Sequence, residues 1–422
     1  METDKIAPDA GTLPRPLGGI RVLDLTVALA GPYCSLLLAG LGAEVIKIEG
    51  PQGSDLSWGS PPYYGADGVR FDAMADGDVS LSILSRARNK RNITLDLKNE
   101  QARAIFMRLA RIADVVVENL SDGTADRLGV GYDAVRAANP GIVYASISGL
   151  GEANPFPGLK AMDIIVQALS GVMDVTGFMN GPPMRFGLPI ADLIAPLYAT
   201  SGILAAIVQR GRTGSGQHVK VSMLDCMASL LAIEHFDVLQ RGGFPVRTGN
   251  HQNRLCPFGV YAASDGHVAI AALADGWFRS LLDAMERPEL ATDPRFSGRG
   301  PRAVNADVLN AFIETWTRDH STAEVMAELH AKRGVPCAPV RSVNEVLHDP
   351  MLHATGALQN LVHPSLGTID VVGAGLPLRF SDAHTGFDQP ATELGASNRD
   401  VYCGLLGMSS AELESLEEQG II

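Results

Sequence analysis

Ile20-Arg21-Val22-Leu23-Asp24-Leu25, followed by Gly31-Pro32 and then by Gly40-Leu41-Gly42-Ala43-Glu44-Val45-Ile46-Lys47-Ile48, decides the fold of this chain. Residues 20–25 form a short apolar run of strand length. Gly31-Pro32 starts a helix that reaches Ala39, and the glycine-rich turn hands the chain to a second strand at 45–48. The same alternation recurs downstream, with a helix at 101–112, a strand at 113–117, a helix at 132–138 and a strand at 142–146. Strand-helix-strand alternation implies an α/β protein with a parallel sheet and covering helices. Leu193 to Gln209 is a longer apolar run that reads as a buried helix, and a turn at 213–216 leads to a strand at 218–222.

Near Arg247 the texture changes. Runs at 259–263 and 267–271 flank Ser264-Asp265-Gly266, a hairpin signal, and helices are expected at 277–285 and 303–316. After Gly334-Val335-Pro336, elements at 343–347, 368–371 and 411–418 read as a return to the first unit. The expected organisation is a flexible lead at 1–16, the first part of a large domain at 17–225, a linker and small α+β domain at 226–342, and completion of the large domain at 343–422.

The 422 residues suffice for two or three cores, and 46% hydrophobic against 19% charged residues is the balance of a globular enzyme. A formal charge of −13 repels nucleic acid and anionic membranes. Five scattered cysteines show no zinc spacing, which points to reduced thiols and no structural metal. Residues 1–16 lack the pattern of a signal or transit segment, and the expected location is the cytoplasm.

Few motifs carry chemistry. Gly40-Leu41-Gly42-Ala43 follows a helix and precedes a strand, the reverse of a dinucleotide fingerprint. No histidine joins a serine or cysteine nucleophile motif, so a hydrolase triad is not expected. Arg86, Arg88, Lys90 and Arg91 form a basic island in an acidic chain, either a solvated loop or a phosphate site. Asp192 stands where the chain becomes most hydrophobic, which suits a helix N-cap or a carboxylate placed beside a substrate.

Taken together, these residues resemble the class III CoA-transferase (CaiB/BaiF) family. The resemblance rests on 17–25, Leu41 to Glu49, Asn89-Lys90-Arg91, Asp126-Arg127-Leu128-Gly129, Asp163 to Gly171, Ile190-Ala191-Asp192, 212–217, Pro257 to Tyr261 and 334–336, in order along nearly the whole chain. It implies a Rossmann-like large domain, a smaller α+β domain, and an interlocked homodimer.

It further implies that Asp192 is the nucleophile. CoA contacts fall on Leu29 and Ala30, on Leu95, Asp96, Leu97 and Lys98, on Asn119, Leu120 and Ser121, on Arg127, and on Lys160, Ala161, Met162 and Asp163, with Lys90 and Arg91 beside them. CoA and acyl-CoA enter as substrates, no cofactor or metal is permanently bound, and carboxylic acids are the other substrates. An Asp near its reference pKa of about 3.9 attacks the thioester as a carboxylate. The implied reaction moves CoA from a donor such as succinyl-CoA to a small carboxylic or dicarboxylic acid through anhydride and aspartyl-CoA thioester intermediates.

Departures from the family pattern bound that reading. Met162 stands where racemases of the family carry a histidine and cannot move a proton, which disfavours an α-methylacyl-CoA racemase or epimerase. Residues 249–254 hold one glycine where formyl-CoA transferases carry a run, Gly50 replaces a CoA-contacting arginine, and 396–398 departs from the usual Glu-His-Thr. Segment 54–89 is longer than in compact relatives and reads as a spacer or an acyl-pocket wall. Arg185, after Gly181-Pro182-Pro183, is a candidate partner for a distal carboxylate. A non-catalytic CoA-binding subunit of a heteromer and an acyl-CoA hydrolase are the remaining alternatives.

Overall fold

A computed structural model describes residues 13–422 except 153–155, 157 and 253. Six strands pair in parallel: β1 (Arg21–Asp24), β2 (Glu44–Glu49), β3 (Lys90–Thr94), β4 (Val115–Glu118), β5 (Val143–Ser148) and β6 (His218–Ser222). Val115, Val116 and Val117 are wholly buried, the continuous apolar run of a strand covered on both faces. The spatial order is β3-β2-β1-β4-β5-β6. The chain winds outward from β1 in one direction, then in the other, so β1 and β4 flank the reversal. In doubly wound sheets ligands bind outside the carboxyl ends of the strands at that reversal.

The helices follow from composition and caps. They are α1 (Ala30–Gly40), α2 (Leu81–Arg86), α3 (Glu100–Arg111), α4 (Tyr132–Ala138), α5 (Asp163–Leu169) and α6 (Ile190–Thr213). The Asn99 carboxamide accepts from the Gln101 amide at 2.7 Å and opens α3. Ala102, Ile105, Phe106 and Leu109 then recur at helical spacing and bury one face. They share a core with Leu23, Ile46 and Val116 and with Val401, Tyr402, Leu413 and Ile421 of the C-terminal segment. The Tyr402 hydroxyl donates to the Thr94 carbonyl at 2.6 Å, tying that segment to the end of β3.

Two expectations are corrected here. The third strand, β3, lies where a solvated loop or phosphate site was expected, because its polar residues find partners on neighbouring strands: Asn92 Nδ2 donates to Glu49 Oε1 at 2.8 Å. The apolar helix α6 begins at Ile190 and is buried on one side only. Ala191, Ala195, Ala199, Ile203 and Ala206 form a stripe inside the core, where the helix packs on α1, β5 and β6, while Leu197, Tyr198 and Val208 face outward. By length and composition alone α6 passes for a membrane span.

Contacts divide the chain into two units. One comprises the chain up to Val166 together with Leu188–Met227 and Leu347–Ile422, and the other Gln167–Gly187 and Ala228–Val346. In the second unit β7 (Phe258–Ala262) and β8 (His267–Ala271) form an antiparallel hairpin, and β9 (Cys337–Pro339) adds alongside β8. Helices α7 (Asp275–Ala284) and α8 (Ala306–Arg318) bury Phe278, Leu281, Leu309 and Ile313 with Tyr261, Val268 and Ile270.

Segment 54–89 is ordered structure in the first unit. Tyr63–Gly65 pairs with Gly68–Arg70 and Val79–Ser80 in a small antiparallel sheet. Ser80 Oγ caps α2 by accepting from the Ser82 amide, and Ile83 and Leu84 anchor α2 against Leu361 and Ile369.

Candidate active site

The candidate site grows from the carboxyl edge of the parallel sheet. β1 ends at Asp24, and the turn that follows places Leu29 and Ala30 at the start of α1. Asn119, just beyond β4, holds this turn across the reversal: its Oδ1 accepts from the Val27 amide at 2.7 Å and its Nδ2 donates to the Val27 carbonyl at 2.9 Å. A Cβ at Gly31 would lie 2.8 Å from the Asn119 carboxamide carbon and closer still to Thr26, so only glycine allows this approach. The backbone of Ala28 takes the left-handed conformation, φ 62°, and its amide is fixed by Asp55 Oδ1 at 3.0 Å.

Helix α6 leads from β5 to the parallel strand β6, so its first turn returns to the carboxyl edge. Asp192 is the third residue of that turn. It is not the N-cap expected from the sequence. The amides of Ala191 and Asp192 both donate to Oδ1 of Asp163, at 2.9 and 3.4 Å. An acid 29 residues upstream caps the helix, and the Asp192 carboxylate accepts no hydrogen bond among the described residues. Burial, reinforced by the neighbouring charge of Asp163 and opposed by the Arg86 guanidinium, raises the Asp192 carboxyl from 3.8 to about 6. Such a group is ionised in most molecules at neutral pH yet poorly solvated, which is the condition of a reactive nucleophile.

The expected ligand set is partly assembled. Leu29, Ala30 and Asn119 meet at the sheet reversal, and Leu120 and Ser121 continue from it. Leu95, Asp96, Leu97 and Lys98 follow β3 on the same edge; the Asp96 amide donates to the Ile421 carbonyl at 2.8 Å, while Lys98 is exposed. Arg127 is exposed at the end of a short helix, Thr124–Arg127, and donates to Thr124 Oγ1 at 2.6 Å. Lys160 and Met162 are exposed, Ala161 is partly covered, and Asp163 serves as the tertiary cap.

Lys90 and Arg91 do not join them. They open β3 level with Val45 and Ile46. Lys90 Nζ is buried against Asp24 Oδ2 at 3.0 Å, the Pro32 carbonyl at 2.9 Å and Ser35 Oγ at 2.8 Å. Those contacts use all three of its protons. Burial pushes the Asp24 carboxyl up, but Lys90 and Lys47, with hydroxyls from Ser35 and Thr26, hold it well below the usual carboxylate range. Arg91 pairs with Glu44 at 2.6 Å, and Arg88 is buried over the Phe387 ring. The basic island is therefore largely structural, and only Arg86 reaches the surroundings of Asp192.

Other reactive groups are spoken for. Burial pushes the Cys34 and Cys256 thiols up to about 12 and the Cys226 thiol to about 11, so they stay protonated. No motif marks Ser146, whose Oγ lies 2.9 Å from His218 Nε2. Its hydroxyl also bonds Glu118, and the imidazole is stacked on Tyr132. The pair lines a cavity of about 790 Å³ that Leu120 and Ser121 of the expected CoA set share with Lys220 and the carboxylates of Asp122, Asp126, Glu152 and Asp225. No group of side chains suited to hold a metal occurs among the described residues. Arg185 donates to the carbonyls of Phe186 and Gly187.

A family model described as CoA-transferase family III matches residues 17–398. The chain is 39% identical over 370 residues to a succinyl-CoA:mesaconate CoA-transferase of Haloarcula hispanica, covering 87% of this chain and 90% of that one. It is 33% identical over 404 residues to a succinate–glutarate CoA-transferase of Agrobacterium fabrum, covering 95% and 96%. A crystal structure of a CaiB/BaiF family protein from Brucella suis superposes with a TM-score of 0.77 at 34% identity, covering 93% of this chain and all of that one.

Proposed function

Because this chain belongs to CoA-transferase family III, we propose that it moves CoA from succinyl-CoA to a small dicarboxylic acid, with Asp192 as the nucleophile. The observation that carries the assignment is the state of Asp192: half-buried at the carboxyl edge of the sheet, its carboxylate accepting no hydrogen bond among the described residues, and relieved of the capping duty by Asp163. The relatives named for succinyl-CoA:mesaconate and succinate–glutarate exchange support the choice of donor and acceptor class.

The chemistry balances without a metal, ATP or net proton transfer. A carboxylate oxygen of Asp192 attacks the donor thioester carbon; the C–S bond breaks and CoA departs as thiolate, leaving a mixed anhydride. The thiolate attacks the aspartyl carbonyl carbon, the anhydride C–O bond breaks, and the donor acid leaves as carboxylate. The acceptor carboxylate then attacks the aspartyl thioester and expels thiolate, which attacks the acceptor carbon of the new anhydride and returns Asp192 to its starting form. Each nucleophile is already an anion, so no general base is called for.

CoA lies along Leu29, Ala30, Leu95 to Lys98, Asn119 to Ser121 and Ala161 in this reading, with Lys98, Arg127 and Lys160 as the cations for its phosphates. Lys90 and Arg91 are withdrawn from that role. Racemisation finds no support, since Met162 carries no proton and Asp163 Oδ1 is engaged by two amides. An interlocked homodimer is part of the proposal. Leu197 and Tyr198 on α6, and Phe178, Met184 and Phe186 in the second unit, are exposed apolar side chains of the kind a second copy covers.

The test is incubation with succinyl-CoA and a panel of carboxylic acids, wild type beside Asp192→Ala, with acyl-CoA products resolved by mass spectrometry. New thioesters from the wild type alone support the proposal. Release of free CoA without new thioesters would replace it with hydrolysis.

A further inference from the structure

Arg86 ends α2 and is held by two contacts, Nε to the Ser82 carbonyl at 3.1 Å and Nη2 to Ser57 Oγ at 3.1 Å. Ser57 Oγ in turn lies 3.4 Å from the Ala28 carbonyl, in the turn before Leu29 and Ala30. The guanidinium is thus fixed beside the start of α1, and α1 packs along α6, whose first turn carries Asp192. Its charge acts on the carboxylates of Asp55 and Asp192. Asp55 already accepts from the Ala28 and Ser57 amides at 3.0 and 2.8 Å. The Nη1 group and the second N–H of Nη2 have no acceptor among the described residues, and Nη1 is not a buried atom. A planar cation with an unused edge therefore stands beside the nucleophile.

The surroundings make that edge consequential. Asp192, Asp163 and Asp55 give the site a negative field, which opposes entry of a dianionic acid. Lys90 is spent on Asp24, Lys47 donates to the Thr26 carbonyl, and Arg88 is buried at 2% exposure. Arg86 is the cation whose charge opposes the two acids at Asp192. In a four-carbon dicarboxylate the distal carboxylate sits three C–C bonds, roughly 4 Å, from the reacting carbon. An arginine fork held beside the start of α1, on the edge where Asp192 stands, can pair with both oxygens of such a carboxylate at once.

We propose that Arg86 determines acid specificity by binding the distal carboxylate of the acid whose other carboxylate reacts at Asp192. This rests on the transferase reading above and assigns segment 54–89 a role, since its small sheet and α2 carry Arg86 to the site. It also assigns to Arg86 the part that the sequence suggested for Arg185.

The experiment is a competition in one vessel, with succinyl-CoA as donor and equal glutarate and pentanoate as acceptors, which have the same chain length and differ by one carboxylate. The ratio of glutaryl-CoA to pentanoyl-CoA cancels every donor step. Arg86→Gln should lower that ratio on the order of 10–100-fold, the worth of hydrogen bonds to a charged group, and Arg86→Lys should lower it less. An unchanged ratio in Arg86→Gln, with turnover intact, overturns the inference and leaves the transferase reading standing. Equal loss with both acids, accompanied by an upward shift of the acid limb, also overturns it, because Arg86 would then act only on the ionisation of Asp192. A wild type that transfers CoA to no acid overturns the transferase reading, and the inference with it.

Discussion

Replacing Asp192 by Asn should abolish CoA transfer and, at neutral pH, stabilise the protein. The Asp192 carboxyl moves from 3.8 to about 6, chiefly through burial. A raised folded-state pKa means that the folded protein holds the proton more tightly than the unfolded chain. Stability is therefore greatest below the ordinary value and falls as pH rises through about 4 to 6. Two pH units at ~1.4 kcal/mol each set an upper bound near 3 kcal/mol, and partial exposure reduces it to about 1–2 kcal/mol above pH 7. Asn keeps the shape and removes the charge, so Asp192→Asn should gain that amount at pH 8 and much less near pH 4. Urea unfolding at both pH values, at one fixed subunit concentration, measures it. A variant less stable than wild type at pH 8, or one with the same gain at both pH values, would refute the argument that Asp192 is held charged against its surroundings.

Further outcomes follow from the same network. Lys90→Met removes the nearer of the two lysines that pair with buried Asp24, leaving Lys47 at 3.8 Å, and should cost about 3 kcal/mol in urea unfolding. Any folded fraction should still bind CoA with ordinary affinity, whereas selective loss of CoA binding would restore Lys90 as a phosphate ligand. In wild type, kcat/KM should fall as pH drops through about 6, when Asp192 takes up its proton. Asp163→Asn retains an oxygen for the Ala191 amide but removes a charge that raises the Asp192 carboxyl, so this acid limb should move to lower pH. A limb that stays in place in the pH–rate profile would show that Asp163 does not act on Asp192.

The sheet was largely legible because its signal is local. Val22-Leu23 and Val115-Val116-Val117 are buried apolar runs, and each is followed or preceded by a helix with its own pattern. β3 was not legible, since Lys90, Arg91 and Asn92 look solvated until Glu44 and Glu49 arrive from β2 and Asp24 from β1 beyond it. Asp192 shows the same limit at the site. Cap preference is a property of the residue and its next few neighbours, whereas the cap that forms comes from Asp163, distant in sequence. The importance of Asp192 entered through resemblance, and the lack of a hydrogen bond to its carboxylate among the described residues only through the structure. Arg86 was visible as one of four clustered basic residues, but what separates it from Arg88, Lys90 and Arg91 is which long-range partners each of them finds.

The central claim is that Asp192 carries the CoA moiety between two acids. Reduction of the protein with borohydride during turnover of succinyl-CoA, followed by peptide mass spectrometry, tests it most directly, because hydride converts an aspartyl thioester to an alcohol. The account predicts homoserine at position 192, formed only when acyl-CoA is present. Conversion at another acid, or continued turnover with residue 192 unmodified throughout, would contradict it.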